Sequence, residues 1–134
     1  MARPKVGVCL CIRKKGSVLL HKRKAKHANG FWAFPGGHLE MWEEWDECAL
    51  RELAEEAGLK IKVTKPKLWK VINTKYEKED KHYVTVIMIC DWISGKAIIM
   101  EPEKNEGWDW FDWNKMPQPL MLGIQKLVDE GMKP

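Results

Sequence analysis

The feature that most constrains this chain is the segment from Gly37 to Leu59, whose second half concentrates carboxylates on one helix face. Its pattern predicts a helix from about Trp45 to Ala57, ended by Gly58. Glu52, Glu55 and Glu56 would share a face at positions i, i+3 and i+4. Like charges so close oppose helix formation unless a cation joins them, and Mg²⁺ and Mn²⁺ prefer such oxygen ligands. The pattern predicts a metal-binding helix, with a solvated acidic face as the alternative.

The spacing within this segment resembles the Nudix box, G-x5-E-x7-R-E-U-x-E-E-x-G-U, where U is aliphatic. Its defined positions are occupied by Gly37, Glu43, Arg51, Glu52, Leu53, Glu55, Glu56, Gly58 and Leu59. Residues 30–37 resemble the G-x-W-x-x-P-G-G lead-in of MutT-type members, and residues 19–24, 82–85 and 101–110 are further similar stretches. Together these stretches most resemble the small eukaryotic-type nucleotide triphosphate diphosphatases. The chain is similar to Nudix hydrolases over nearly its whole length, from about Val6 to Gly131.

The resemblance implies one Nudix domain over residues 1–134, an α/β (α+β) fold in which a mixed β-sheet forms an α/β/α sandwich. Local patterns agree with that class. They predict a hairpin turning at Lys15-Gly16 and a central strand from Tyr83 to Trp92, since its residues are apolar on both faces. The other predicted elements are strands at 67–76, 96–100 and 108–113, and a C-terminal helix that Pro119 opens and that runs to about Glu130.

The resemblance also assigns the metal site. It implies that Glu52 and Glu56 are the principal ligands of Mg²⁺ or Mn²⁺, that Glu55 contributes, and that the Gly36 carbonyl completes the site. Glu52 is the first choice for the group that orients or deprotonates the attacking water. Arg51 would hold the carboxylates in orientation. Family members differ on the catalytic base, and here a downstream acid, Glu103 or Glu106, is the alternative.

Substrate contacts follow from the same resemblance. Arg23 is predicted to clamp a phosphate bidentately, and His38 to donate to a phosphate oxygen. Gly37 would let backbone and substrate approach closely. A base pocket would include Phe34, Thr85 and Ile124. The alternatives are ordinary surface positions for Arg23 and His38, and core positions for Phe34 and Ile124.

The resulting functional hypothesis is a Mg²⁺-dependent nucleoside triphosphate pyrophosphohydrolase that releases a nucleoside monophosphate and pyrophosphate. Its substrates would be dNTPs such as dCTP, dGTP or 8-oxo-dGTP. A second hypothesis is a dinucleoside polyphosphate or mRNA-cap hydrolase, because Tyr76 lies near a tyrosine of the dinucleotide class. Thr74 stands where ADP-ribose hydrolases of the family carry a proline, which argues against that substrate. A non-catalytic nucleotide-binding module is the third hypothesis.

Composition limits the remaining possibilities. The net charge of +4 suits a phosphate-rich small molecule but does not demand long nucleic acid, which we do not expect as a partner. No apolar run is long enough to span a membrane or form a signal peptide. The four cysteines form no CxxC pair, which favours free thiols in the reducing cytoplasm. Exposed aromatic area, suggested by eight tryptophans, would suit the homodimer that the relatives often form.

Two positions depart from the family pattern. The residue before Glu43 is commonly glycine, but here it is Trp42. The helix cap after it is commonly Ser or Thr, but here it is Glu44, which caps less well and suits the positive end of a helix. Neither change removes a predicted metal ligand. Both are expected to alter the local geometry of the loop.

Overall fold

The computed structural model describes residues 2–134 and places one helix on each face of a network of paired strands. The strands are β1 (Lys5–Lys14), β2 (Ser17–Arg23), β3 (Trp32–Ala33), β4 (Gly36–His38), β5 (Lys62–Val63), β6 (Lys67–Tyr76), β7 (Lys81–Ser94) and β8 (Asn105–Asp112). The helices are α1 (Trp45–Ala57) and α2 (Leu122–Asp129), with short 3-10 helices at Glu77–Glu79 and Trp113–Lys115. No helix among the residues described here has both the length and the apolar character to cross a membrane.

The strand pairing makes the sheet mixed. β1 runs parallel to β7, with Lys5 opposite Tyr83 and Arg13 opposite Asp91. β4 pairs antiparallel with β1, and β6 pairs antiparallel with the other edge of β7. β2, which leaves β1 through the tight turn at Lys15-Gly16, pairs antiparallel with β3 and β8. β7 is therefore central, as its two apolar faces predict.

The core lies in two layers, one under each helix. On the α1 side, Leu53 of the helix packs with Val8 and Leu10 of β1 and Val86 of β7. On the α2 side, the buried cluster joins Ile124 to Cys11, Val18, Leu20 and Ile87. Alternate residues of β1 and β7 thus face opposite layers, as the period of a strand requires. The α/β/α sandwich with a mixed sheet is confirmed.

Helix α1 begins and ends where its sequence predicts. At its start, the backbone N–H of Glu44 donates to the Glu47 side chain at 2.8 Å. At its end, Gly58 has a φ of +85°, a conformation that favours glycine, and its N–H donates to the Ala54 carbonyl at 3.1 Å. Glu44 is thus accommodated because its own N–H is satisfied by a glutamate one turn later.

The segment 96–100, predicted as a strand, is not one. The N–H of Ile98 donates to the Ala57 carbonyl at 2.9 Å, and that of Met100 to the Glu56 carbonyl at 3.4 Å. These backbone donors satisfy carbonyls that the end of α1 leaves without helical partners. The apolar residues that suggested a strand instead tie this segment to the helix end and fix the position of Glu101, which follows it.

The C-terminal elements are shifted from their predicted bounds. Helix α2 begins at Leu122 rather than Pro119, because residues 119–121 pair with Trp32. The N–H of Trp32 donates to the Pro119 carbonyl at 2.9 Å, and the carbonyl of Trp32 accepts from the Met121 N–H at 3.0 Å. The last strand begins at Asn105 and ends at Asp112, while Trp113 starts a 3-10 helix.

Trp42 occupies a backbone conformation that favours glycine, the residue that the resemblance implies at this position. Its φ is +69°, in the left-handed region, and its side chain is 93% exposed. Left-handed backbone costs a non-glycine residue about 1–2 kcal/mol. Trp42 therefore holds a left-handed backbone at a cost in stability that no burial of its ring offsets.

Candidate active site

Helix α1 presents its three predicted carboxylates in different environments. The side chains of Glu52 and Glu56 are 14% and 15% exposed, whereas that of Glu55 is 55% exposed. The shared face is therefore tilted, with Glu52 and Glu56 turned toward the protein and Glu55 toward solvent. Glu52 and Glu56 are therefore better placed than Glu55 to hold a partly enclosed metal ion.

Arg51 joins the helix to the loop before it. Its Nε and Nη2 donate to the two oxygens of Glu43 at 2.7 and 3.0 Å. Its Nη1 donates to Glu52 at 2.8 Å and lies 3.3 Å from Glu55. Its Nη2 also donates to the His38 carbonyl at 3.1 Å. Because hydrogen bonds from Arg51 stabilise the charged carboxylate, the pKa of Glu43 falls to about 2.

Glu56 has the opposite environment. Its Oε1 accepts the Gly36 N–H at 2.8 Å, and its Oε2 lies 3.6 Å from His21 Nε2. Burial raises the pKa of Glu56 to about 8, and the nearby Glu52 charge adds to that rise. Burial also raises the pKa of Glu52, against the effect of Arg51. Burial lowers the pKa of His21 to about 4, so the imidazole is neutral at pH 7 and supplies no compensating charge.

The two glycines of β4 allow this packing. A Cβ on Gly37 would overlap the Glu52 carboxylate. A Cβ on Gly36 would overlap the Val8 carbonyl oxygen across the β1–β4 ladder. Backbone without side chains thus forms the floor beneath the carboxylates. Gly36 contributes its N–H to Glu56 directly, in addition to the carbonyl role that the resemblance implies.

The donor set fits a hard divalent cation. Burial raises the pKa of both partly enclosed carboxylates, so a bound cation would stabilise their charged forms, and oxygen ligands suit Mg²⁺ or Mn²⁺. Among residues 2–134, no group of three His, Cys, Asp or Glu side chains is already gathered as a closed metal site. Mg²⁺ is commonly held by one or two carboxylates together with water and substrate phosphate. Glu52 and Glu56 match that kind of open site.

A cavity of about 400 Å³ opens beside these carboxylates, and we call it the phosphate cavity. It is lined by His21, Arg23, Lys24, Ala25, Gly36, Gly37, His38, Glu52, Glu56, Glu101, Lys104 and Asn105. Of the downstream acids, Glu101 lines this cavity, whereas Glu103 and Glu106 are exposed at the surface and Glu106 pairs with Lys22 at 3.8 Å. The acidic segment was recognised from sequence, but the contacts of residues 98–100 with α1 select Glu101 within it.

A second cavity, of about 230 Å³, is more apolar, and we call it the apolar pocket. All six residues predicted to contact substrate line it, namely Arg23, Phe34, Gly37, His38, Thr85 and Ile124. The Thr85 hydroxyl lies 2.8 Å from that of Thr74, and the His38 ring stacks on Tyr83 with centroids 5.7 Å apart. The two cavities share Arg23, Gly36, Gly37 and His38. One bound molecule can therefore reach both.

Sequence reasoning missed several lining residues. Tyr83 and Met121 also line the apolar pocket, and Lys104 and Asn105 line the phosphate cavity. Tyr83 and Met121 read as ordinary apolar positions in strand or helix patterns. Asn105 lies opposite Arg23 in the β2–β8 ladder, a pairing that local sequence does not reveal.

Comparison with known proteins identifies the architecture. The NUDIX domain model matches residues 1–130. An ADP-ribose pyrophosphatase of Methanocaldococcus jannaschii is 32% identical over 97% of this chain and 74% of its own length. An 8-oxo-dGTP diphosphatase of Proteus vulgaris is 36% identical over 59% of this chain and 69% of its own. The chain spans 48% and 20% of the length of two further relatives.

The solved structures agree. The MutT NUDIX hydrolase from Burkholderia pseudomallei superposes with a TM-score of 0.88 at 29% identity, covering 96% of this chain and 98% of that one. The similarity therefore extends over nearly the whole fold.

Proposed function

The chain belongs to the NUDIX family of phosphoanhydride hydrolases, and we propose that it hydrolyses nucleoside triphosphates to nucleoside monophosphates and pyrophosphate. Candidate substrates are dCTP, dGTP and 8-oxo-dGTP. The observation that carries the proposal is the pairing of one apolar pocket with one acid-lined cavity across a shared glycine floor. That pairing suits a ligand with a single nucleoside and a chain of phosphates.

The nucleoside end of the ligand would occupy the apolar pocket. Phe34 and Ile124 offer apolar surface, while the Thr85 hydroxyl offers a polar contact in the wall. Such a mixture, mostly apolar with few polar groups, is usual in sites that bind a flat heterocycle. His38, which lines both cavities, is placed to contact the phosphate nearest the nucleoside, and Arg23, which also lines both, is placed to contact the phosphates that follow it.

The reacting phosphates would lie over the carboxylates. NUDIX hydrolases use divalent metal ions, and we propose Mg²⁺ or Mn²⁺ held by Glu52 and Glu56, with Glu55 and the Gly36 carbonyl as further donors. When bound, such an ion neutralises phosphate oxygens and makes water more acidic. Arg51, bonded to Glu43 and to Glu52, holds the inner carboxylate in orientation.

The group that takes the proton from water is proposed to be Glu52. It is partly enclosed and its pKa is raised by burial, which suits a proton acceptor better than a strongly acidic carboxyl. Glu101 is the alternative that the phosphate cavity offers. Glu103 and Glu106, proposed from sequence for the same part, lie at the surface and are less suited.

A second candidate is a dinucleoside polyphosphate or mRNA-cap substrate, which Tyr76 favours. Tyr76 lines the apolar pocket, and its ring meets His27 edge-on with centroids 4.6 Å apart. ADP-ribose enters the comparison through the name of the Methanocaldococcus relative. Against it, Thr74 is buried and bonded to the Tyr83 carbonyl at 3.0 Å, where the resemblance implies a proline for that class.

The experiment is product analysis with Mg²⁺ for dCTP, dGTP, 8-oxo-dGTP, dUTP, diadenosine tetraphosphate and ADP-ribose. Glu52→Gln and Glu56→Gln are the test variants, and Glu77→Gln, at an exposed site in a 3-10 helix, is the matched control. We expect the wild-type protein to release pyrophosphate and a nucleoside monophosphate from one dNTP. The rate of this reaction should fall about a thousandfold in both test variants and stay unchanged in the control.

Two other results would replace the proposal. Turnover confined to diadenosine tetraphosphate would transfer the assignment to the dinucleotide class and to Tyr76. Nucleotide binding without turnover of any substrate would establish the non-catalytic binding module instead.

Two further proposals concern the protein's setting. The four cysteines are free thiols, which supports a reducing compartment such as the cytoplasm. The exposed apolar residues Trp42, Met41 and Leu59 support the homodimer, whose mass light scattering would measure. A small nucleotide rather than long nucleic acid remains the proposed partner.

A further inference from the structure

Three residues that line the phosphate cavity, His21, Arg23 and Asn105, each carry a buried polar atom without a hydrogen-bond partner among residues 2–134. In Arg23 and Asn105 that atom can only donate, whereas an imidazole nitrogen can donate or accept. Arg23 Nε and Asn105 Nδ2 are buried, and neither has a hydrogen-bond partner among residues 2–134. Asn105 as a whole is only 6% exposed. Leaving a buried donor unpaired is unfavourable, so such groups in a cavity wall point to an acceptor supplied by a ligand.

The orientation of Asn105 is fixed by its other end. The N–H of Gly107 donates to Asn105 Oδ1 at 2.7 Å. Because a backbone N–H requires an acceptor, the oxygen and nitrogen of this amide cannot be exchanged. The NH₂ group is thereby committed to donate elsewhere. Arg23 is fixed similarly, since its Nη2 donates to the His27 carbonyl at 3.2 Å.

Strand pairing brings these donors together. Arg23 at the end of β2 lies opposite Asn105 at the start of β8. One position beyond that pair, the N–H of Lys24 donates to the Lys104 carbonyl at 2.9 Å. Lys24 and Lys104 also line the phosphate cavity. This corner, which we call the donor corner, consists of Arg23, Lys24, Lys104 and Asn105, and all four side chains are hydrogen-bond donors.

The rest of the cavity sets the chemistry of the missing acceptor. Glu52 and Glu56 line it as well, and Glu101 lies 3.4 Å from Lys104 Nζ. Among residues 2–134, no Phe, Tyr or Trp lines this cavity, and its only aromatic rings are the imidazoles of His21 and His38. It therefore offers less apolar surface to a second nucleobase than the apolar pocket does. A ligand group rich in anionic oxygens would satisfy the donor corner, and a cation bound by Glu52 and Glu56 would balance the charge of those carboxylates.

We propose that the donor corner binds the terminal phosphates of the substrate, so that the nucleoside lies in the apolar pocket and a free phosphate end lies against Lys104 and Asn105. This inference rests on the proposed triphosphate hydrolysis and adds the direction of the substrate and the residues that select its length. It requires a substrate that ends in phosphate and disfavours one that ends in a second nucleoside or a ribose.

The test is calorimetric binding of inorganic pyrophosphate and, separately, of a nucleoside monophosphate, in the presence of Mg²⁺. Asn105→Asp keeps the acceptor for Gly107 N–H and replaces the free donor by a carboxylate oxygen. Lys104→Ala removes a charge. The matched controls are Asn114→Asp and Lys62→Ala, which make the same changes at exposed positions outside both cavities.

We expect pyrophosphate affinity to fall at least tenfold in Asn105→Asp and severalfold in Lys104→Ala, with monophosphate affinity and the controls unchanged. Lys104→Arg should restore pyrophosphate binding. Unchanged pyrophosphate affinity in both test variants, or an equal loss of both ligands, would overturn the donor corner.

Turnover separates this inference from the proposed function. The wild-type protein should hydrolyse a dNTP faster than the matching nucleoside diphosphate. In Asn105→Asp the two rates should become similar. If no dNTP is hydrolysed, the proposed function fails. If dNTPs are hydrolysed but the preference over diphosphates persists in Asn105→Asp, only the donor corner fails.

Discussion

Two carboxylates of one motif, Glu43 and Glu56, have environments that shift their pKa values in opposite directions. Hydrogen bonds from Arg51 lower the pKa of Glu43 to about 2, whereas burial raises that of Glu56 to about 8. Glu43 is matched by a cation within the protein. Glu56 accepts one backbone N–H and faces a neutral imidazole. The comparison separates the part of the motif that holds the fold from the part that requires a ligand.

The largest effect on this comparison is expected from Arg51→Met. The change leaves Glu43 and Glu52 without their cation, and breaking a partly buried ion pair destabilises a fold by about 3 kcal/mol. Denaturant unfolding measures the loss. Arg13→Met is the matched control, because the Arg13–Asp91 pair at 2.9 Å is exposed and such pairs contribute about 1 kcal/mol or less. Equal losses in the two variants would show that Arg51 is an ordinary surface arginine.

The next effect has the opposite sign. In a chelator, Glu56→Gln should stabilise the protein, by about 1–3 kcal/mol at pH 8.5. The folded state raises this carboxyl's pKa, so its penalty is absent below the unfolded pKa near 4.5 and grows as pH rises to about 8. The melting temperatures of Glu56→Gln and the wild-type protein should therefore differ at pH 8.5 but be similar at pH 5. A destabilised variant at both pH values would mean that Glu56 is already compensated.

Glu43 supplies the third test, since its pKa is lowered on folding. Its charged form contributes stability above the unfolded pKa near 4.5, and that contribution is lost as pH falls toward about 2. Glu43→Gln should cost about 1–2 kcal/mol at pH 7, and the difference from wild type should shrink steadily below pH 4.5. The control is Glu106→Gln, whose partner Lys22 is 3.8 Å away and exposed. A difference that does not change with pH would rule out the ion pair as the cause.

The smallest effect is expected in the loop that precedes helix α1 and contains Trp42. Trp42→Gly should raise the free energy of unfolding by about 0.5–1 kcal/mol, because glycine adopts its φ of +69° without strain. Met41→Gly, at a neighbouring exposed site that is not among the positive-φ residues, should lower it by a similar amount. Urea unfolding of both variants provides the measurement. Destabilisation by Trp42→Gly would show that the exposed ring makes a contact worth more than the strain.

The sequence predicts local structure better than it predicts contacts between segments that are distant along the chain. The period of α1 places Glu52 and Glu56 on one face, and Gly58 ends the helix as its type suggests. Residues 96–100 contain the right residues for a strand, yet the carbonyls at the end of α1 take up their donors. β3, β4 and β5 have only two or three residues each and show no readable alternation.

The same distinction holds at the site. The resemblance selects Arg23, Phe34, His38, Thr85 and Ile124, and all five line one pocket, although their roles remain predictions. Spacing alone does not identify Glu101 among the downstream acids. Nor does it show that an asparagine has one end satisfied and the other free, because that follows only once β2 and β8 are paired.

The way residues 98–100 close the end of α1 has an electrostatic consequence. The carboxyl end of a helix carries a partial negative charge of about half an electron, and α1 has no basic residue in its last turn to oppose it. Glu56 lies in that turn, so the helix dipole and the carboxylate repel each other. A cation bound at Glu56 would offset the negative charge of the carboxylate and that of the helix end. Its binding should slow hydrogen exchange at the amides of Ile98 and Met100, which donate to carbonyls of that helix end.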